Sequence, residues 1–243
     1  MQETKKLKIV LETITPIRIG ASRSALSSVK LPIVKIGGKY CIPGSSLKGA
    51  LRNKLDEYFI GLYKEKNKET LKPCIATSKP SKSEDELLRD CYKMSGCNLN
   101  KIENDYICPS CYFLGAQGIR GFIIVPILFT SDENIEKMTG ISIDRVTKTA
   151  RRGALYSYQI IPQGIKFEGI MEILIKDAVT GFEFGKPRKI GNITIDKWLE
   201  EVSDFQSREK LLDLLKKSLE NINRLGGFIS KGLGNVQIKV EEL

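Results

Sequence analysis

The chain has 243 residues, 41% of them hydrophobic, so it can bury the core of one enlarged domain or of two small ones. Lys and Arg total 39 against 29 acidic residues, and the net charge of +10 favours polyanionic partners, nucleic acid first among them. The chain has no histidine, which excludes Ser-His-Asp and Cys-His catalysis and the paired-histidine route to RNA cleavage. No apolar run approaches the ~20 residues of a membrane span, so we expect a soluble, cytoplasmic protein with no membrane partner.

The first half of the chain predicts one strand, one helix and a polar insertion. Apolar and polar residues alternate from Leu7 to Thr13, which is typical of a strand with one buried face. After a loop rich in Gly and Ser, either Ser45 or Ser46 can cap a helix. The apolar face of this helix is expected to be buried and consists of Leu47, Leu51, Leu55, Tyr58, Phe59 and Leu62. The following segment, about 64–112, is polar and holds five of the six cysteines, so it predicts an insertion.

The second half predicts three strands and one helix. The apolar runs 122–129 and 167–175 favour central strands, with a basic insertion between them. A helix is expected over 207–225, ended by the glycine pair that follows, and alternation over 236–240 predicts a last strand. The order strand, helix, strand, strand, helix, strand is that of a ferredoxin-like fold, so we expect an α+β protein.

A long stretch of positive charge without counter-charge lies in residues 16–55. It contains no Asp or Glu, and its cations are Arg18, Arg23, Lys30, Lys35, Lys39, Lys48, Arg52 and Lys54. Such imbalance indicates phosphate contact. Within it, a glycine turn leads into the helix start, where free N–H groups, the helix dipole and the hydroxyls of Ser45 and Ser46 favour an anion. Lys48 and Arg52 share one stripe of this helix. The alternative is an ordinary capped helix with exposed basic residues.

Two further segments combine cations with aromatic residues or glycines. In 141–164, four cations precede Tyr156 and Tyr158, a pairing that suits single-stranded nucleic acid. These cations are Arg145, Lys148, Arg151 and Arg152. The alternative is a basic hairpin whose tyrosines lie in the core. The loop 226–234 is dense in glycine and carries Lys231, so its backbone can approach a ligand closely, although such a loop alone is more often just a turn.

The cysteines predict a structural zinc site. A CxxC knuckle lies in a segment too poor in apolar residues to pack by itself, and Zn²⁺ would supply the missing cross-link. The expected ligands are Cys91, Cys97, Cys108 and Cys111. Cys74 is the alternative to Cys91 as the fourth ligand. Free thiols or a redox pair remain open, and Cys41 is expected to pack as a small core residue.

Four motifs together resemble the RAMP superfamily of CRISPR-associated proteins, and within it the backbone subunits of type III effector complexes. They are IPGSSLKGALR at 42–52, CPSCYFLGAQG at 108–118, ISIDRVTKTARRGALYSYQIIPQG at 141–164 and GGFISKGLGNVQI at 226–238. The resemblance implies a single RAMP domain over 1–243 with a ferredoxin-like (RRM-like) core. It also implies a zinc insertion at about 64–112 and a β-hairpin thumb at about 139–164.

The resemblance implies a structural subunit that binds crRNA and complementary target RNA in antiviral defence, beside other CRISPR effector subunits. It assigns guide contact to Ser45, Ser46, Lys48, Arg52, Arg145, Lys148 and Lys231. We add Arg18 to this set because it lies in the acid-free stretch.

Catalysis is not expected of this chain. Target-cleaving members of the family carry Asp-x-Pro after the first strand, where this chain has Lys30-Leu31-Pro32. A lysine cannot bind a catalytic metal as a carboxylate does. Two alternatives stay open. The chain could be an endoribonuclease subunit that cuts target RNA or guide precursor, or a zinc-stabilised module whose basic surface docks on acidic protein partners.

Overall fold

The structure is a computed structural model that describes residues 2–21, 31–75, 88–205 and 207–243, without the side chains of 103, 104, 142, 151–154 and 204. Its strands are β1 (Glu3–Thr13), β2 (Lys35–Ile36), β3 (Lys39–Ile42), β4 (Ile123–Ile124), β5 (Leu128–Phe129), β6 (Glu136–Ile143), β7 (Ala150–Ile160), β8 (Lys166–Lys176), β9 (Lys189–Ile190), β10 (Ile193–Thr194) and β11 (Val236–Glu242). Its helices are α1 (Gly44–Lys66), α2 (Pro109–Leu114), α3 (Lys197–Glu201) and α4 (Arg208–Glu220). Within these ranges, no helix combines the length and apolar character needed to cross a bilayer.

The main sheet is antiparallel and has one covered face. Its strand order is β11-β1-β8-β5-β3-β2, and β4 also pairs with β8. Leu11 on β1 is opposite Phe167 on β8 and Ile238 on β11, and all three are buried. The buried side chains of α1 and α4 belong to the same core cluster. The other face is open and carries ion pairs such as Lys8 with Glu168, at 3.1 Å. The protein is therefore a mixed α+β chain in which helices cover one face of the sheet.

Helix α1 agrees with the sequence prediction on its buried face but not on its cap. Its buried apolar residues are Leu47, Leu51, Leu55 and Phe59. Tyr58, predicted on the same face, is 43% exposed. The N-cap residue is Pro43, with φ of −58° and no side-chain cap, so the predicted capping by Ser45 or Ser46 is wrong. Both serines lie in the first turn, where their backbone is already helical.

Two predicted elements differ in extent. The run 122–129 forms two short strands because Pro126, which has no N–H donor, interrupts the ladder. The last helix ends at Glu220, before the glycine pair. Residues 222–225 instead pair with the segment before β11, as the Leu225 N–H donates to the Gly234 carbonyl at 2.8 Å.

The segment between β8 and α4, for which the sequence predicted no element, contains a buried ion pair. The Arg188 guanidinium donates to Asp196 from Nε at 2.7 Å and from Nη2 at 2.9 Å, and both side chains are at most 1% exposed. Nearby, the Trp198 ring packs 5.4 Å from the ring of Tyr112. This segment thus joins α2, which carries part of the CxxC knuckle, to the main core.

Candidate metal centre and nucleic-acid interface

Four buried cysteines meet beside α1 and α2. Cys74 follows α1, Cys97 lies in the loop before α2, and Cys108 and Cys111 flank the first turn of α2. Their Sγ atoms all lie within 4.8 Å of one another, and those of Cys74 and Cys111 are 3.4 Å apart. A tetrahedral Zn²⁺ with Zn–S bonds of ~2.3 Å needs sulfur atoms about 3.8 Å apart. The four sulfurs therefore fit a tetrahedral metal ion, and thiolate ligands favour Zn²⁺ or iron.

The fourth cysteine of this group is Cys74, so the prediction of Cys91 is corrected. Cys91 is only half-buried and lies outside the cluster. Cys74 is held in place by a short bridge to Lys93, whose N–H donates to the Pro73 carbonyl at 2.9 Å. Cys41, expected to pack as a core residue, is 1% exposed on β3.

Backbone N–H groups of two of the clustered cysteines point at sulfur atoms of the cluster. The Cys74 N–H donates to Cys108 Sγ at 3.3 Å, and the Cys108 N–H donates to Cys97 Sγ at 3.2 Å. Hydrogen bonds with neighbouring cysteines lower the pKa of Cys74, the one with Cys108 most and the one with Cys111 next. Burial raises the pKa of Cys108. Because hydrogen-bond donors stabilise thiolates, this backbone geometry favours metal ligation.

Arg52, predicted to contact RNA, lies against the cysteine cluster. Its Nη2 donates to the Cys74 carbonyl at 2.6 Å and to Cys74 Sγ at 3.4 Å, while Nη1 donates to Cys111 Sγ at 3.6 Å. Its Nε is 3.6 Å from Asp56 Oδ2, and Asp56 in turn accepts from Ser110 Oγ at 2.5 Å. Burial acts to lower the pKa of Arg52, but the charges of Cys111, Asp56 and Cys74 raise it overall. Burial raises the pKa of Asp56 to about 6.

The start of α1 borders two clefts without acidic lining. Ser45 and Lys48 line a cleft of about 790 Å³ with residues of α2, β4 and the loops beside them. Lys48 also borders a cleft of about 570 Å³ above the cysteines, together with Arg52 and Lys101. No Asp or Glu is among the described residues that line either cleft. Ser46 is half-buried in the first turn. This end of α1 is open to an anion.

A second cationic group lies where the loop after β1, the 226–234 loop and β7 meet. The Arg18 guanidinium carbon and Lys231 Nζ lie 5.2 and 4.4 Å from the centroid of the Phe228 ring. Lys231 Nζ also donates to the Tyr156 hydroxyl at 3.4 Å. Arg18 Nε is buried without a hydrogen-bond partner among the described residues, and burial lowers the pKa of Arg18. Of the ion pairs between described residues, none includes Arg18 or Lys231, so both charges are available to an anion.

Phe228 is a residue that the sequence analysis did not select. Its φ of 64° and ψ of 27° are left-handed, a conformation that is costly for a bulky side chain and that concentrates at functional sites. Gly226, two residues before Phe228, has φ of 93°, and a Cβ there would lie 2.6 Å from the Arg18 carbonyl oxygen. The sequence signal that could have identified Phe228 is an aromatic residue in a glycine-dense loop that also carries a lysine.

The hairpin β6–β7 carries the remaining predicted cations. Arg145 and Lys148 are exposed in its turn, which Asp144 stabilises by accepting the Val146 N–H at 2.9 Å. The tyrosines of β7 lie at its base, where Tyr158 is 7% exposed and packs 5.2 Å from the Phe228 ring.

Tyr158 therefore packs against the body of the protein, as the alternative with core tyrosines predicts. Tyr156 is half-buried. The side chains of Arg151 and Arg152, and residues Arg23 and Lys30 as a whole, lie outside the part of the chain that is described. The cations predicted to contact RNA thus occupy four places in the described part of the chain: the start of α1, the cysteine cluster, the Phe228 ring and the hairpin turn.

Comparison with known proteins identifies a family over most of the chain. The family model of the RAMP superfamily matches residues 10–237. A search of curated proteins finds no match. The matched span includes the start of α1, the four clustered cysteines, the hairpin and the loop with Phe228.

Proposed function

Because the chain belongs to the RAMP superfamily, we propose that it is a crRNA-binding structural subunit of a type III CRISPR interference complex in antiviral defence. The observation that carries this proposal is a pair of cations on the ring of Phe228, Arg18 and Lys231, neither of which forms an ion pair with another described residue. An RNA strand offers phosphates to such cations and bases to the neighbouring aromatic residues. The partners are then crRNA, complementary target RNA and other effector subunits.

We also infer a ferredoxin-like (RRM-like) core and a single RAMP domain over 1–243. The strand order β11-β1-β8-β5 supports this inference, with α1 following β1 and α4 following β8. In this interpretation the insertion at about 64–112 carries the metal site, and the segment at about 139–164 is the thumb.

The proposed RNA contacts are Arg18, Ser45, Ser46, Lys48, Arg145, Lys148 and Lys231. The first turn of α1 places the positive end of the helix dipole beside the cleft that Ser45 and Lys48 line, where it favours a phosphate. The hairpin turn offers two exposed cations. Arg52 contributes indirectly, because its guanidinium is already hydrogen-bonded to the cysteine cluster.

We propose that the four clustered cysteines hold a structural Zn²⁺. Among the described residues, the buried members of this cluster other than those cysteines are four isoleucines, Ile102, Ile107, Ile119 and Ile195. So small an apolar cluster benefits from a metal cross-link. Four protein ligands leave no open position for substrate, so the metal stabilises the fold and does not catalyse.

We further propose that this subunit binds RNA without cutting it. Lys30 stands where target-cleaving relatives have an aspartate, although Lys30 lies outside the described residues. The next carboxylate along the chain, Asp56, is buried and accepts a hydrogen bond from Ser110. It is therefore poorly suited to replace the missing aspartate.

Salt-dependent RNA binding tests the proposal. We expect Arg18→Met and Lys231→Met each to weaken binding of single-stranded RNA, by the complex or the purified chain, equally for unrelated sequences. Each change should reduce the slope of log K against log salt by about 0.7, the value for one phosphate contact on a single strand. Lys217→Met is the matched control, because Lys217 is exposed and pairs with Asp213 at 2.7 Å on α4. Lys217→Met should keep the wild-type slope. If Arg18→Met and Lys231→Met both kept it as well, the proposed RNA site would be wrong.

A further inference from the structure

A tetracysteine metal site places negative charge in a buried part of the protein. Four thiolates around one Zn²⁺ carry a net charge of about −2. All four cysteines are buried, so solvent compensates this charge poorly. Hydrogen-bond donors around the sulfur atoms must supply the compensation, and such second-sphere donors control how tightly a metal is held.

Arg52 is positioned to compensate the negative charge of the thiolates. Its two terminal nitrogens reach sulfur atoms of two ligands from separate segments, at 3.4 Å for Cys74 and 3.6 Å for Cys111. A third contact, from Nη2 to the Cys74 carbonyl at 2.6 Å, fixes the plane of the guanidinium. The Arg52 side chain is 17% exposed, so water competes little for these donors. Its rigid fork allows two ligands to be contacted at once, which a lysine cannot do.

The second cation near the sulfurs is less suited to this role. Lys93 Nζ is 3.8 Å from Cys97 Sγ, but it also forms an ion pair with Asp105 and donates to the Tyr106 carbonyl at 2.7 Å. Its charge is therefore already matched by a carboxylate at close range. Arg52 has the closer sulfur contacts, while its own carboxylate neighbour, Asp56, is 3.6 Å away.

The position of Arg52 on α1 also links the knuckle to the helix. Arg52 and Asp56 are four residues apart and lie on one stripe. Arg52 contacts Cys74 and Cys111, and Asp56 accepts from Ser110 between the knuckle cysteines. Through the side chains of Arg52 and Asp56, α1 therefore contacts both the segment with Cys74 and the CxxC segment.

We infer that Arg52 is a positioning residue of the metal centre, which retains the metal by bridging the thiolates of Cys74 and Cys111. This role rests on the proposed Zn²⁺ site and gives Arg52 a function other than direct contact with RNA.

Metal release from the full chain tests the inference. Removing a second-sphere partner usually weakens metal affinity about 10- to 100-fold. We expect this loss to appear in the dissociation rate, so Arg52→Met, purified without chelators, should lose Zn²⁺ to a chromophoric chelator about 10- to 100-fold faster than wild type. Arg52→Lys should fall between the two, because it keeps the charge but contacts one sulfur at a time. Lys54→Met is the matched control, since Lys54 pairs with Glu57 at 2.8 Å on the same helix. It should release metal at the wild-type rate.

Cobalt substitution supplies a second readout that loss of packing alone does not produce. With Co²⁺ in the site, Arg52→Met should shift the sulfur-to-metal charge-transfer bands, whereas Lys54→Met should not. If Arg52→Met folds too poorly to purify, Arg52→Lys carries the test. Release and spectra that match wild type in every Arg52 variant obtained overturn the inference. A wild-type protein that folds without metal overturns the Zn²⁺ site and this inference with it, while the RNA salt dependence, which does not involve Arg52, tests the proposed function separately.

Discussion

Replacing Phe228 with leucine should weaken RNA binding without changing its dependence on salt. Leucine keeps an apolar side chain at this position but removes the ring face that lies 5.2 Å from Arg18 and 4.4 Å from Lys231. Both cations remain, so the number of phosphates neutralised should stay the same. What is lost is the ordering of two long side chains before RNA arrives.

The size of the effect follows from that ordering. Immobilising a flexible side chain on binding costs about 0.5–1.5 kcal/mol, so two such side chains cost roughly 1–3 kcal/mol. At about 1.4 kcal/mol for each tenfold change, the dissociation constant should rise roughly five- to 150-fold. A base stacked on the Phe228 ring in the complex would add to the loss.

Anisotropy titrations of labelled single-stranded RNA at several salt concentrations measure both quantities. We expect Phe228→Leu to give a parallel line displaced to weaker binding, whereas Lys231→Met gives a shallower one. Phe228→Gly is a useful companion, because glycine adopts the φ of 64° without strain and so stabilises the loop while removing the ring. Wild-type affinity in both variants, or a slope reduced as in Lys231→Met, would refute the reasoning.

Three further predictions concern stability, the metal and cleavage. Asp196→Ala should lower the free energy of unfolding in urea by about 3–5 kcal/mol, because it leaves Arg188 buried and unpaired, whereas Arg188→Met combined with Asp196→Leu should recover most of the loss. Removing metal with a chelator should open residues 88–107 to limited proteolysis before the main sheet, and a protease-resistant apo segment would contradict a structural Zn²⁺. In the assembled complex with Mg²⁺, Lys30→Ala should leave any cleavage of labelled target RNA unchanged, and cuts lost in this variant would indicate a nuclease.

Local patterns predicted the elements whose residues alternate or repeat strongly. The alternation of Leu7, Ile9 and Leu11 identified β1, and the 3.6-residue spacing from Leu47 to Phe59 identified the buried face of α1. Such patterns arise because one face of the element is buried, and the spacing of apolar residues along the sequence shows that face directly. The spacing does not show which distant segments pair through their backbones. Residues 222–225 have apolar side chains at helical spacing, yet their backbone pairs with residues before β11, and the helix ends at Glu220.

The metal site was only partly predictable for the same reason. The spacing of Cys108 and Cys111 identifies a knuckle because both ligands belong to one turn of chain. The choice between Cys74 and Cys91 depends on the bridge between Cys74 and Lys93, which joins segments about twenty residues apart. No local property of either cysteine carries that information. The same holds for Phe228, whose importance depends on Arg18, more than two hundred residues earlier.

The positively charged side chains of this sequence have two different roles, and composition alone cannot distinguish them. Lys48 and Arg52 belong to the same acid-free stretch and the same stripe of α1, so their residue types and spacing predict a shared role. One helical turn after Lys48, the segments that carry Cys74 and Cys111 lie against Arg52, and there the guanidinium compensates sulfur charge inside the fold. At the first turn, Lys48 borders two open clefts whose described lining has no acidic side chain. A net charge of +10 therefore overstates what is available to RNA, because a cation counts toward phosphate binding only where the fold has left it without an anionic neighbour.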